Sequence, residues 1–192
     1  MLNIFYYVKT NELDDILDYG IKLSENYTRK IAINGAEKLF LTGLLNPKDE
    51  LDKFNSETYT CLKLNLNIVT LKVAESTLYG SKYYEDTIIP FTEYELGQYM
   101  QPEVLISMSI LPEIIEEINY FIDEPLLYDN SKELYVNNLI EKISNELNNS
   151  QDVILNALLK EYSKQNNLNK DIIENKTNVY YSDNKNEFYI SK

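Results

Sequence analysis

Thr58-Tyr59-Thr60-Cys61-Leu62-Lys63-Leu64, then Asn65-Leu66-Asn67, then Ile68-Val69-Thr70-Leu71-Lys72-Val73. The first run alternates between apolar and polar side chains, the last is rich in β-branched residues, and both read as strands. Only a brief polar break divides them, so one strand follows another with no helix between. Ile4-Phe5-Tyr6-Tyr7-Val8 and Lys38-Leu39-Phe40-Leu41-Thr42 upstream, and Glu103-Val104-Leu105-Ile106-Ser107-Met108 downstream, are further strands. Ile88-Ile89-Pro90-Phe91 carries a proline and reads as an edge strand.

Helical signals are few in this series. Asn11 is a candidate N-cap, Glu12, Asp14 and Asp15 favour the positive end of a helix, and Leu13, Ile16 and Leu17 recur at helical spacing before Tyr19-Gly20 stops it. Asn26 to Lys30 is a polar stretch. Asn46-Pro47-Lys48-Asp49 starts a turn or short helix anchored by Leu51 and Phe54, and Glu75 to Asp86 reads as a loop. Leu111-Pro112 opens a helix carrying Ile114, Ile115, Ile118 and Phe121 on one side. The order predicts an α+β fold, helices beside a mostly antiparallel or mixed sheet, rather than a doubly wound one.

After Asp123-Glu124-Pro125 the composition changes, which predicts a domain over 1–124 and a helical extension over 125–192. Val136, Ile140, Ile143 and Leu147 mark one amphipathic helix, Asn148-Asn149-Ser150 breaks it, and Ile154, Leu155, Leu158, Leu159 and Tyr162 mark a second. Asn178-Val179-Tyr180-Tyr181 and Glu187-Phe188-Tyr189-Ile190 flank Ser182-Asp183-Asn184-Lys185 as a hairpin.

Composition removes several chemistries. The chain has no histidine and one cysteine, so no internal disulfide, no Cys/His zinc cluster and no Ser-His-Asp or Cys-His catalysis is expected. Its net charge is −13, with 18 basic against 31 acidic residues. That disfavours general binding to nucleic acid or to an anionic membrane, whereas it suits solubility or docking on a basic partner. No GxGxxG or GxxxxGK[ST] loop is present among only five glycines. The first fifteen residues lack a basic segment followed by an apolar stretch, and no apolar run approaches the ~20 residues that span a bilayer, which predicts a soluble, cytoplasmic protein. The 17 tyrosines and 6 phenylalanines carry the aromatic mass, with no tryptophan.

Three segments in order resemble the ADP-ribosyltransferase-like superfamily, which includes RNA 2′-phosphotransferases and DNA-modifying ADP-ribosyltransferase toxins. Phe5-Tyr6-Tyr7-Val8-Lys9-Thr10 followed by Leu13 to Ile21 resembles the family opening, a strand before a helix that ends Ile-Leu-x-x-Gly. Lys38 to Thr42 is similar to the strand facing the nicotinamide end of the cleft. Gln101-Pro102-Glu103-Val104-Leu105-Ile106, then Ile110-Leu111-Pro112-Glu113-Ile114-Ile115, resembles the late Glu-Val-Leu element, with Gln101-x-Glu103 as its Gln-x-Glu signature.

The resemblance covers about residues 1–122 and implies an ADP-ribosyltransferase-like fold that breaks the nicotinamide–ribose bond of NAD. It implies Glu103 as the carboxylate that stabilises charge on the ribose, Gln101 as orienting the acceptor, and Tyr7 against ribose or nicotinamide. Arg29 would hold pyrophosphate, Ser76 or Thr77 would fill the family's serine position, and Tyr79, Tyr83 or Tyr84 would cover the nicotinamide. The sequence departs from the family where Tyr7 replaces a histidine and where Arg29 is the only arginine. Those departures favour a second expectation, a non-catalytic module of inhibitor or antitoxin type that engages a protein partner through its acidic surface and C-terminal helices. Outside the family frame, Glu103 reads as an acid at the start of a strand and Arg29 as a solvated loop residue.

Overall fold

The computed structural model describes residues 3–33, 35–118, 128–146, 151–173, 177–182 and 187–191. It contains two compact units, Met1–Val136 and Asn137–Lys192. The fold is α+β with a mostly antiparallel sheet.

The first unit contains strands β1 (Ile4–Lys9), β2 (Arg29–Ile33), β3 (Ala36–Leu44), β4 (Tyr59–Leu64), β5 (Lys72–Glu75), β6 (Ile89–Pro90), β7 (Pro102–Ile106) and β8 (Ile115–Glu117). The short helices α1 (Leu13–Tyr19), α2 (Leu23–Asn26) and α3 (Leu51–Phe54) lie among them in the chain. The strands join in the order β6-β5-β7-β3-β1-β4-β8, with β2 pairing onto β3, and every pairing is antiparallel.

Successive strand residues point to opposite faces, so the register assigns each side chain a side. Ile4, Val8, Leu41, Leu62, Val73, Val104 and Ile106 belong to one large buried cluster. The opposite face carries two smaller clusters. One is Ile31, Phe40, Ala74, Tyr84 and Leu105. The other is Phe5, Tyr7 and Cys61, with Leu44, Phe54 and Tyr59 packed against it.

Two glycines permit close approaches. Gly20 ends α1 at φ +77°, and a Cβ there would lie 2.1 Å from the Ile110 carbonyl oxygen. Its successor Ile21 exchanges both backbone hydrogen bonds with Ile110, at 2.8 and 2.9 Å. Gly43 lies on β3, where a Cβ would meet the Ile4 Cγ2 methyl at 2.6 Å.

Several expectations need correction. Ile68 to Val73 is not one strand: the Asn67 side chain accepts from the Val69 N–H, Ile68–Thr70 forms a 3-10 turn, and β5 begins only at Lys72. Leu111-Pro112 opens a 3-10 turn over Pro112–Ile114, not a helix, and the chain then becomes β8. The exposed edge of β4 accounts for this, because Ile115–Glu117 pair with Leu62–Leu64 and the Asn65 N–H reaches the Ile114 carbonyl. Strand pairing overrides the helical spacing of isoleucines that are themselves β-branched. Phe121 lies outside the described residues. Asn11 falls within a 3-10 turn, Thr10–Glu12, and Glu12 holds the N-cap position of α1 without a side-chain cap bond. The polar stretch before Lys30 leads into β2, whose hairpin with β3 turns at Gly35.

Helix α4 (Ser131–Glu146) starts in the first unit and ends in the second. The second unit also holds α5 (Gln151–Gln165) and a sheet of β9 (Asn169–Ile173), β10 (Thr177–Ser182) and β11 (Glu187–Ser191) in the order β11-β10-β9. The hairpin is β10–β11, and β9 is a third strand the sequence reading missed. Asn167, at φ 53°, closes α5 in the left-handed conformation, and the Leu168 N–H returns to the Ser163 carbonyl at 2.9 Å. Leu159 and Tyr180 are buried in this unit. The break at 148–150 and the turn at 183–186 lie outside the described residues, as does the composition change at 123–125. Among the described residues no helix is long and apolar enough to cross a membrane.

Candidate functional site

The register brings the polar residues together. Leu44 pairs with Glu103, Thr42 with Leu105, Arg29 with Phe40 and Ala74 with Glu103. Directly paired residues share a face, so Arg29, Thr42, Leu44 and Glu103 all project from the side that carries the two small clusters. A cleft lies there. Its first hollow, of about 120 Å³, is lined by Arg29, Thr42, Leu44, Asp49, Glu50, Ser76, Gln101, Pro102 and Glu103. A second, of about 200 Å³, shares Arg29, Thr42, Leu44 and Glu50 and adds Tyr6, Tyr7, Thr28 and Lys53.

Glu103 is the central group. Every residue of β7 is buried, and Glu103 is 3% exposed. A carboxylate at that depth requires partners, and it has three donors. Arg29 grips it bidentately, Nε to Oε1 at 3.0 Å and Nη2 to Oε2 at 2.7 Å. The Tyr84 hydroxyl, also buried, donates to Oε1 at 2.7 Å.

The Arg29 Nη1 donates to the Thr28 carbonyl at 3.1 Å, and the guanidinium lies 4.2 Å from the centre of the Tyr79 ring. Tyr79 in turn meets Tyr84 edge-on at 5.1 Å. Burial opposes the charge on Arg29, but the hydrogen bond and the charge of Glu103 outweigh it, so its pKa lies above the ordinary value. Tyr84 is raised as well, first by burial and then by donating to an anion.

A second buried carboxylate shapes the rim. Glu75, 7% exposed, accepts from the Thr77 N–H and hydroxyl, from the Met100 N–H at 2.6 Å, and from the Gln101 N–H with both oxygens. The Ser76 N–H adds a bond to the Gln101 carbonyl at 2.9 Å. These bonds tie the end of β5 to the start of β7 and hold Ser76 and Gln101 beside Glu103. The other wall hangs on Asp49, whose oxygens accept from the Ser131 N–H and hydroxyl. Burial raises the Asp49 pKa above the usual carboxylate range, against the lowering effect of those bonds. Asn46, also buried, donates to the Tyr128 carbonyl and so fixes the same wall.

Of the residues singled out from sequence, Glu103, Gln101, Arg29 and Ser76 line the first hollow, and Tyr7 and Arg29 line the second. The Tyr7 hydroxyl donates to the Pro47 carbonyl at 3.0 Å, and Lys53 stands 6.0 Å from its ring centre. Tyr83 lines neither hollow; it is 56% exposed and pairs with Lys82, whose Nζ is 4.8 Å from its ring centre. Tyr84, one residue on, is the buried member of that cluster and the one that reaches Glu103.

Thr28 and Thr42, whose hydroxyls lie 2.8 Å apart, and Glu75 were not singled out. Thr42 stood in a segment already quoted, whereas the role of Glu75 depends on partners some 25 residues away. Cys61 is buried, and burial pushes its thiol up to about 12, with the neighbouring Tyr7 acting in the lowering direction. Among the described residues no group of three or more His, Cys, Asp or Glu side chains could hold a metal ion. No family model, curated protein or solved structure matches the chain.

Proposed function

We propose that this chain is an ADP-ribosyltransferase-like protein that takes NAD or a related nucleotide at Glu103 and acts on its nicotinamide–ribose bond. The supporting observation is that Glu103, Gln101, Ser76 and Arg29 line a single hollow, with Tyr7 in the hollow that adjoins it. As that bond breaks, its electron pair leaves with nicotinamide and positive charge builds on the ribose. An ionised carboxylate fixed beforehand beside the ribose stabilises that state more than the ground state. Arg29 and Tyr84 supply the fixing.

In this arrangement Arg29 is first a partner of Glu103. Three of the five N–H donors that a guanidinium carries are directed at Glu103 and Thr28, so at most two remain for a phosphate oxygen. Each hollow is smaller than the roughly 300–1,000 Å³ of a typical ligand pocket. A sugar or a single ring fits each, and the adenosine end of a dinucleotide would extend outside them.

A second reading, a non-catalytic interaction module of inhibitor or antitoxin type, draws on the charge of the cleft. Among the described residues lining the two hollows, Asp49, Glu50 and Glu103 stand against two cations, Arg29 and Lys53, and Lys53 Nζ lies 2.5 Å from Glu50. An anionic ligand finds little compensation there.

Calorimetry with NAD on the natural protein and on Glu103→Gln separates the two. Saturable binding, with nicotinamide release that disappears in Glu103→Gln, supports the transferase reading. No heat at millimolar NAD overturns it in favour of the interaction module.

A further inference from the structure

We propose that Tyr84 is the positioning residue for Glu103, an inference that rests on the reading of Glu103 as the working carboxylate. The two oxygens of Glu103 are not equivalent. Oε1 accepts from both Arg29 Nε and Tyr84 Oη, at 3.0 and 2.7 Å, which fills its two lone-pair directions. Among the described residues Oε2 accepts from Arg29 Nη2 alone, at 2.7 Å. The carboxylate lines the first hollow, so its remaining acceptor capacity there belongs to Oε2. A ligand that binds Glu103 must therefore bring an O–H or N–H donor to that atom.

Three donors from two separate elements fix the plane of the carboxylate. Arg29 comes from β2, and Tyr84 from the loop that follows β5. Arg29 alone would leave the pair free to rock about its fork, and the Tyr84 hydroxyl pins one prong. Tyr84 is itself held from the side by Tyr79, the ring on which Arg29 lies. Tyr79, Arg29, Glu103 and Tyr84 thus form a closed ring of contacts. The other charged groups lining the hollow are Asp49 and Glu50, from the segment after β3.

Tyr84 donates to Glu103 Oε1, so removing the hydroxyl leaves Arg29 to hold the carboxylate. In Tyr84→Phe, nicotinamide release from NAD is expected to lose about tenfold in kcat with KM little changed, because a displaced carboxylate loses stabilisation of the transition state rather than ground-state binding. A Tyr84 that merely packs would lower the melting temperature and leave kcat in place.

If Tyr84→Phe does not fold, 3-fluorotyrosine at position 84, a donor of nearly the same shape and altered strength, should change kcat and leave KM in place. An unchanged kcat in a folded variant overturns the positioning role. Absence of nicotinamide release from the natural protein overturns the transferase reading instead, and the carbon-13 carboxyl resonance of labelled Glu103 at neutral pH then decides the role of Tyr84: it moves in the folded variant if the hydroxyl holds the carboxylate and stays in place if it does not.

Discussion

Replacing Arg29 with methionine isolates the contact on which the site depends. The substitution keeps a long apolar stem and removes both guanidinium bonds to Glu103, leaving that carboxylate 3% exposed with Tyr84 as its remaining donor. Breaking a buried pair from one side costs about 3–5 kcal/mol, because the remaining charge is stranded. The Arg29 side chain is 22% exposed, so water can reach its end of the pair and the lower figure applies, about 3 kcal/mol. For a domain of this size that corresponds to a fall of about 10 °C in Tm. Glu103→Gln leaves the partly hydrated cation behind instead and should cost about 1–2 kcal/mol. If the two groups act as a pair, the double variant should be more stable than the sum of the single losses predicts, by about 2 kcal/mol. Urea unfolding of the four proteins measures this directly. A coupling below about 0.5 kcal/mol, the level of an exposed ion pair, would refute the argument.

Gly20→Ala places a Cβ 2.1 Å from the Ile110 carbonyl at a positive φ, and a loss of about 2–4 kcal/mol is expected by urea unfolding; a loss under 1 kcal/mol would mean that the Ile21–Ile110 bridge adjusts at little cost. Glu75→Gln replaces one acceptor oxygen with an NH2 group that meets the N–H of Met100 or Gln101, so it should cost about 1–3 kcal/mol and weaken any ligand bound beside Gln101, as unfolding and calorimetry would read. Cys61, with its thiol near 12, should resist a disulfide reagent at pH 8 in the folded protein and react fully in urea; fast labelling of the native chain would contradict its burial.

The central strands were legible because alternation and β-branched runs report directly on a half-buried sheet. β1, β3, β4 and β7 follow from local side-chain pattern alone, and Gly20 marks a helix end where only glycine avoids the Ile110 carbonyl. What failed to read depended on partners distant in sequence. Ile114, Ile115 and Ile118 have helical spacing, yet the open edge of β4 took Ile115–Glu117 as a strand, an interaction across some fifty residues. β2 looked like a polar loop because only Ile31 among its residues is buried. β9 is similarly masked, since its Asn, Lys and Asp suit an exposed strand as well as a turn.

The site follows the same division. Glu103 is the one charged residue in a strand whose five positions are all buried, flanked by Pro102 and Val104-Leu105-Ile106. An acid in such a run is a conflict between local pattern and burial that can be read from the sequence. Its resolution cannot be read there, because Arg29 lies 74 residues away and reaches Glu103 only through the β2–β3 hairpin, which places it on the same face as Glu103. Packing alone gives no reason to keep the pair, since well-packed apolar residues of similar volume commonly match or exceed the stability of a buried ion pair. Tyr84 adds a third donor and Tyr79 a surface for the guanidinium, so three side chains are committed to one carboxylate in the wall of a cleft. Conflicts of this kind gather at functional sites, where a group held ready for chemistry is retained against its cost to stability. On this ground Glu103, rather than the more exposed acids around it, is the residue we propose as the working group of the cleft.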